Sequence, residues 1–415
     1  MRVIAVVDSD SYVKWGAAVL AALPREWLKS LVLVATPIAP SDAQLQTALA
    51  GSGFAASDAL RLELPAIVDL VREQQPDVVL LSLRGPVASV VARDIYDVTA
   101  KRPVIVSGLP GISVPATRPA IRYRTQADLF LLHSKREVRE FRQLAVELEA
   151  AQTFALAELP FLQRSVPREV SGRRDVIFAA QSIVPADRVD RVRLLGWLSE
   201  LATRHPELRV VIKVRAVAGE VQTHEEHDSY PDLLASLGTT PDNLVVASGP
   251  MGGYLDQAVG FVTVSSTAAI EALAAGVPVI AVDDFGVGPE LINEVFVGSN
   301  LLAGSDDLVN ARFRTVSDVW LDDNYFHDPA DSDWLRVLDE LLEARAAGRL
   351  PRHEPWLLGR GGEFRRAWER KRALGKYDRS ASGRLAGVVW LPVRTGVRAA
   401  RGVLRWSGVL AKKQV

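Results

Sequence analysis

None of the 415 residues is cysteine, which removes disulfide frameworks, cysteine-held zinc and thiol nucleophiles from the possibilities. Long hydrophobic runs are lacking too, and no apolar segment approaches the roughly 20 residues of a membrane span. The first residues, MRVIAVVDSD, enter a strand directly, without the basic stretch and long apolar run of a signal peptide. These absences together lead us to expect a cytoplasmic chain. What is present is the composition of a folded protein, 48% hydrophobic and 24% charged. The length exceeds one ordinary core, so two domains are expected.

The net charge of −1 conceals an asymmetry. From Arg352 to Val415 there are 16 Lys+Arg against 4 Asp+Glu, a balance of +12, which leaves −13 on the other 351 residues. An acidic body with a basic tail behaves differently from a neutral protein. Within the tail, Trp390, Trp406, Leu391, Val393, Val397, Val403 and Leu404 interleave with basic residues. Arg394, Arg398, Arg401 and Arg405 follow one helical stripe, the pattern of an interfacial helix on anionic lipid. A terminal helix packed on the body and a disordered basic tail are the other readings. No nucleic-acid-binding fold is recognisable, so nucleic acid is not an expected partner.

Apolar strand-like runs alternate with helical patterns, the signature of parallel sheets covered by helices. In the first half the runs are Val3–Val7, Leu31–Ala35, Val78–Leu83, Val104–Val106 and Leu129–Leu132, with helices such as Val13–Leu23 and Leu64–Gln75. The second half restarts at Val176–Ala179 and continues through Leu208–Val214, Leu244–Val246, Phe261–Val264 and Val277–Val282. Leu159–Arg174, with two prolines and no periodicity, is the linker candidate. The expected fold is α/β: two doubly wound, Rossmann-like domains facing a cleft, over residues 1–160 and 175–345, followed by a basic helical extension over 346–415.

Function is most legible in FVTVSSTAAIEALAAGVPVIAVDD, residues 261–284. It reads as strand, hydroxyl triplet (Ser265, Ser266, Thr267), helix (Ala268–Ala275), glycine stop and strand. Backbone N–H groups at a strand-to-helix turn favour an anion, and hydroxyls add donors, so a phosphate site is expected. Ordinary helix capping explains the same residues without a ligand. Glu271, one turn on, is within reach of a sugar hydroxyl. Polar residues follow every strand of this half: Gln181 and Ser182, Lys213 and Arg215, Ser248 and Gly249, the triplet, then Asp283 and Asp284. Ligands of open parallel sheets bind outside these strand ends. Lys213 and Arg215 are candidate partners of a diphosphate, since Arg grips two oxygens and Lys acts as a point charge. The loop Gly219–His227 holds His224 and His227 among three glutamates. Its H-E-E-H spacing does not match H-E-x-x-H, so no metal is assigned, and His224 is read as a hydrogen-bonding group.

In the first half, Asp8 and Asp10 stand where the first strand passes into a helix, a position that an N-cap also explains. Ser107-Gly108-Leu109-Pro110-Gly111 would let backbone approach a ligand, or simply turn. Arg118, Arg122 and Arg124 read as an attractor for an acidic acceptor or as a solvated helix face. His133-Ser134 reads as a satisfied cap.

The run Ser265-Ser266-Thr267-Ala-Ala-Ile-Glu271-Ala-Leu-Ala-Ala-Gly276-Val-Pro278 resembles the nucleotide-binding segment of two-domain, nucleotide-sugar-dependent glycosyltransferases of the type-B fold. It is similar to that of bacterial capsule and cell-envelope enzymes. The resemblance implies that the serine-rich turn holds donor phosphates, that Glu271 holds the ribose, and that Asp8 or Asp10 takes the acceptor proton, with His224 or His133 next in line. It does not extend to the Lys-x-His-Pro motif of the capsule enzymes. In Ile212-Lys213-Val214-Arg215, arginine stands in the histidine's place and no proline follows, so a CMP-linked acidic donor is not carried over. The resemblance implies no cofactor beyond a nucleotide-sugar co-substrate. The acceptor would be a cell-envelope glycan or its lipid-linked precursor, met at the inner face of the membrane, where the chain would be peripheral. A nucleotide-sugar epimerase of the same fold and a non-catalytic membrane scaffold are the rival readings.

Overall fold

A computed structural model describes residues 1–159, 162, 172–181, 183–214, 228–249, 251–355 and 362–386. The strands are β1 (Arg2–Val7), β2 (Leu28–Val34), β3 (Ala59–Leu62), β4 (Val78–Ser82), β5 (Val104–Gly108), β6 (Leu129–Leu132) and β7 (Thr153–Leu156) in the first half. In the second half they are β8 (Asp175–Ala179), β9 (Arg209–Lys213), β10 (Leu244–Ala247), β11 (Ala258–Thr263), β12 (Val279–Val282) and β13 (Leu302–Ala303). They build two parallel sheets, ordered β3-β2-β1-β4-β5-β6-β7 and β10-β9-β8-β11-β12-β13. Two parallel-sheet α/β domains are thus the architecture that the alternating pattern implied.

The sequence dictates this arrangement through continuous apolar strands. Val3, Ile4, Ala5, Val6 and Val7 are all fully buried, as a strand covered on both faces requires. Phe261, Val262, Val279, Ile280, Ala281 and Val282 do the same in the second sheet. In each sheet the strand order reverses once, between β1 and β4 and between β8 and β11. Those are the switch points where open sheets leave a crevice. Register Val7↔Ser82 brings the residues after β1 beside those after β4. Register Val262↔Phe178, continued three residues, sets Ser265 opposite Gln181.

By compactness the chain divides into Met1–Ser107 with Arg122–Asp128 and Leu341–Val415, and Gly108–Ile121 with Leu129–Glu340. The expected boundaries at 160 and 175 therefore differ from this division. The C-terminal stretch does not stand apart over 346–415 either: its described part packs on the first unit. The helix Gly362–Leu374 buries Ala373 and Leu374 in the core that holds Ile4, Val32 and Val91. Arg370 Nη1 reaches Asp94 at 2.7 Å. The charged sequence GEFRRAWERKRAL hides a narrow stripe, Ala367, Ala373 and Leu374, which is the buried side. Most of the linker candidate, and the tail from residue 387 with Trp390, Trp406 and the arginine stripe, lie outside the described residues.

Candidate functional site

The first switch point carries a buried polar network. Asp8 ends β1 with no exposed surface. Its Oδ2 accepts from Arg84 Nε at 2.8 Å and its Oδ1 from the Arg84 backbone N–H at 3.2 Å. Burial pushes the Asp8 carboxyl up, against the pull of the Arg84 cation. This placement makes Asp8 an anchor for Arg84. Asp10 opens the helix Asp10–Ala22 and is half-buried. Its neighbour Ser9, not Asp8 or Asp10, stands at the N-cap, and its side chain makes no cap bond.

Arg124 departs from the solvated arginine face that spacing suggested. It is buried and donates to Ser107 Oγ (3.1 Å), Tyr12 Oη (3.0 Å) and the Leu83 carbonyl (2.8 Å). Arg118 is exposed and pairs with Glu147. Arg84 was missed because it is a single residue after an unremarkable strand, and the partners of Arg124 lie far from it in sequence. The available signal was position: Arg84 directly follows Leu83 and precedes the Gly-Pro start of the helix Gly85–Ile95.

The second switch point holds the triplet. Gln181 Oε1 accepts from both the Ser265 N–H (3.0 Å) and the Ser265 hydroxyl (3.1 Å). Ser266 N–H donates to Thr263 Oγ1 (2.9 Å), and Ser266 Oγ accepts from Ala268 N–H (3.2 Å). The turn is thus more internally satisfied than the open anion nest expected from sequence. The helix that follows, Ala268–Ala274, is also short. Side chains therefore matter more than the helix end. Ser266, Thr267 and Glu271 are half-buried at the mouth of this turn.

Lys213, at the end of β9, is not a solvated surface cation. It is buried, its Nζ donates to the Val214 carbonyl at 2.8 Å, and it sits 5.7 Å from the centre of the Tyr254 ring. Tyr254 Oη in turn donates to the Ser248 carbonyl at 2.9 Å. Gly249 follows with φ +104, a conformation that favours glycine. The structure therefore brings Lys213 and Ser248 together through Tyr254, and Gln181 together with Ser265. Ser182, Arg215, His224 and the remainder of the 219–227 loop lie outside the described residues.

His133 closes β6 as a buried residue, with Nδ1 3.0 Å from the Ala157 carbonyl. Burial pushes its pKa down to about 4, so the ring is neutral at pH 7 and is not exposed to an acceptor. Ser134 caps the helix Lys135–Glu147 by accepting from Glu137 N–H, the cap that its sequence position implies. Glu137 itself was not singled out by sequence. It is fully buried, and burial pushes its pKa up to about 7.

No helix among the described residues is long and apolar enough to cross a membrane. In fold, the chain is similar to the UDP-GlcNAc 2-epimerase of Neisseria meningitidis solved with UDP-GlcNAc. That likeness has 12% identity and a TM-score of 0.54, and it covers 83% of this chain and 100% of that one. It is also similar to the UDP-GlcNAc 2-epimerase of Methanocaldococcus jannaschii in complex with UDP-GlcNAc and UDP. There the identity is 10% and the TM-score 0.52, over 82% of this chain and 100% of that one. At these identities the likeness is one of fold. Among curated proteins, none matches the sequence. A family model does match, over residues 3–341, and by it the chain belongs to the family described as "Putative glycosyltransferase (DUF6716)".

Proposed function

We propose that the chain transfers a sugar from a nucleotide-activated donor, with the donor held at the β8/β11 switch point. The observation that carries this reading is the junction there of Ser265 with Gln181, in a family of glycosyltransferases. Ser266 and Thr267 would donate hydroxyls to the donor phosphates, Glu271 would accept from the ribose, and Lys213 would add positive potential. Arg215 and Ser182 belong to the same proposed set. The solved relatives in fold that carry UDP-GlcNAc support a nucleotide-sugar as ligand. In the reaction, the acceptor oxygen bonds to the anomeric carbon as the bond from that carbon to the phosphate oxygen breaks. The nucleotide leaves with the electron pair, and the acceptor proton passes to a carboxylate, for which Asp10 is the candidate. Hydrogen-bond donors and cations aimed at the leaving phosphate can stabilise it without a metal.

Replacing Ser266 and Thr267 together by Ala tests the donor site. Each partly buried hydroxyl contributes about 1 kcal/mol, so nucleoside diphosphate binding should weaken by roughly thirtyfold with the circular dichroism spectrum unchanged. Calorimetry that finds equal affinity, for a nucleotide that binds the wild type, would refute the assignment.

The acceptor we propose is a cell-envelope glycan or lipid-linked precursor, reached at the inner membrane face through the basic tail. The +12 balance from Arg352 to Val415 supports this. Full-length protein should sediment with anionic vesicles and be released by salt, because surface attraction is screened within a Debye length. Equal sedimentation by a chain ending at Arg379 would contradict the membrane role. Fold likeness to 2-epimerases favours a second reading, a nucleotide-sugar epimerase.

A further inference from the structure

The helix Lys135–Glu147 carries two carboxylates, one turn apart, that hold a single stretch of the loop following β5. Glu137 Oε1 accepts from Ser113 N–H at 2.8 Å, and Glu140 Oε2 accepts from Ala116 N–H at 3.1 Å. Between those two residues Val114 is buried in one core with Ala269 and Ile270 of the helix Ala268–Ala274. Just before them Gly111 lies so close to the triplet that a Cβ placed on it would stand 3.1 Å from Thr267 Oγ1. The loop is thus pinned by carboxylates on one side and forms a wall of the hydroxyl turn on the other.

We propose that Glu137 is a positioning residue for the donor site: with Glu140 it fixes the 113–116 stretch, and through it seats Gly111 against Thr267. The inference rests on the donor reading of the triplet. The ionised carboxylate has three donors to serve. Besides Ser113 N–H, Tyr325 Oη donates to Oε1 at 2.7 Å and His133 N–H donates to Oε2 at 2.9 Å. Three acceptor bonds match an ionised carboxylate; a protonated one must turn one oxygen into a donor and gives up part of this set. The charged and titratable groups facing it are Glu140 and Arg136 on its own helix, Tyr325 across from it, and His133, which His327 faces in turn. Burial pushes the Glu137 pKa up to about 7, and the Tyr325, His133 and Ser113 hydrogen bonds pull the other way. The anchor is therefore complete above that pH and weakened below it.

Hydrogen exchange of the 109–116 amides should be compared between wild type and Glu137→Gln at pH 5.5 and 8.5. The ratio removes the intrinsic pH dependence of exchange, and any titration common to both proteins. At pH 8.5 the wild-type amides should exchange about tenfold more slowly, the scale of one charge-assisted hydrogen bond. At pH 5.5 the two proteins should converge. A ratio equal at both pH values would overturn the proposal. Tyr325→Phe supplies a second route should Glu137→Gln fail to fold. Losing the tyrosine donor disfavours the ionised form, so the pH at which protection is lost should rise, and an unmoved midpoint would overturn the proposal. In parallel, calorimetry with UDP-GlcNAc, GDP-mannose and TDP-glucose, whose phosphodiesters do not titrate in this range, reads the link to the site. Glu137→Gln should bind the accepted donor several-fold more weakly at pH 8.5 and equally at pH 5.5. Equal binding at both pH values, with the exchange difference present, would refute the positioning role alone. A wild type that binds no nucleotide sugar would refute the donor reading itself, while the exchange ratio still decides whether Glu137 anchors the loop.

Discussion

Asp10→Asn is expected to cut turnover roughly a hundredfold or more, the usual range for losing a general base, with donor affinity unchanged. The expectation follows from how the two carboxylates after β1 divide. Asp8 is buried, with both oxygens on Arg84, whereas Asp10 is half-buried at the start of the helix Asp10–Ala22. A base must present an oxygen to the acceptor hydroxyl within hydrogen-bond reach, which favours Asp10, since Asp8 has no exposed surface. Asp8→Asn should instead lower stability by leaving the Arg84 cation poorly matched, with a smaller loss of turnover per folded molecule. Single-turnover rates alongside calorimetric donor affinity separate the two effects. Near-normal turnover in Asp10→Asn would move the base elsewhere or indicate retention of configuration.

Asp128→Ala should destabilise the first unit by about 3–5 kcal/mol, the cost of leaving a buried charge without its partner. Asp128 is buried between β5 and the returning C-terminal stretch. It takes Arg102 Nη1 and Nη2 at 2.8 and 2.7 Å, the Ile105 N–H at 2.8 Å and His353 Nε2 at 3.1 Å. Burial alone would raise its carboxyl, but the hydrogen bonds from Arg102 and His353 outweigh it and hold it below the usual value. A group held low contributes stability above its unfolded pKa and loses it as pH falls through the folded one, so the wild-type contribution should fade as pH falls below the ordinary carboxylate range. The mutant should show a lower denaturant midpoint by tryptophan fluorescence, together with faster exchange near His353. A change under about 1 kcal/mol would contradict this role.

The strands that sequence revealed are built around mostly apolar runs, though several carry polar residues as well, such as Ser82 in β4 and Arg209 and Lys213 in β9. β6 is found at its stated limits, Leu129–Leu132, and β1, β4, β8 and β12 within two residues at each end. β3 escaped notice because Ala59–Leu62 is an exposed edge strand with Arg61 at its centre, and β13 because it has only two residues. The hydroxyl triplet was legible because hydroxyl residues between a strand and a helix are a local pattern. Its partner Gln181 was legible only as a strand-end residue; the bond between them depends on β8 and β11 being neighbours, which no local pattern states. Glu137 was hidden by its surroundings: in KREVREFRQLAVE it reads as one charge among many. Its burial arises from Tyr325, distant in sequence, and from the loop after β5. Arg124 was misread for the same reason, since its partners come from three separate segments: Tyr12 on the helix after β1, Leu83 just past β4, and Ser107 in β5.

The central claim, transfer from a nucleotide-activated sugar, is tested most directly by following the products when full-length protein meets a panel of nucleotide sugars. A transferase should release the nucleoside diphosphate or monophosphate from one donor, slowly by hydrolysis alone and faster with an acceptor, and Ser266→Ala/Thr267→Ala should slow that release. Conversion of one nucleotide sugar into its epimer without free nucleotide, or no change in any of them, would contradict it.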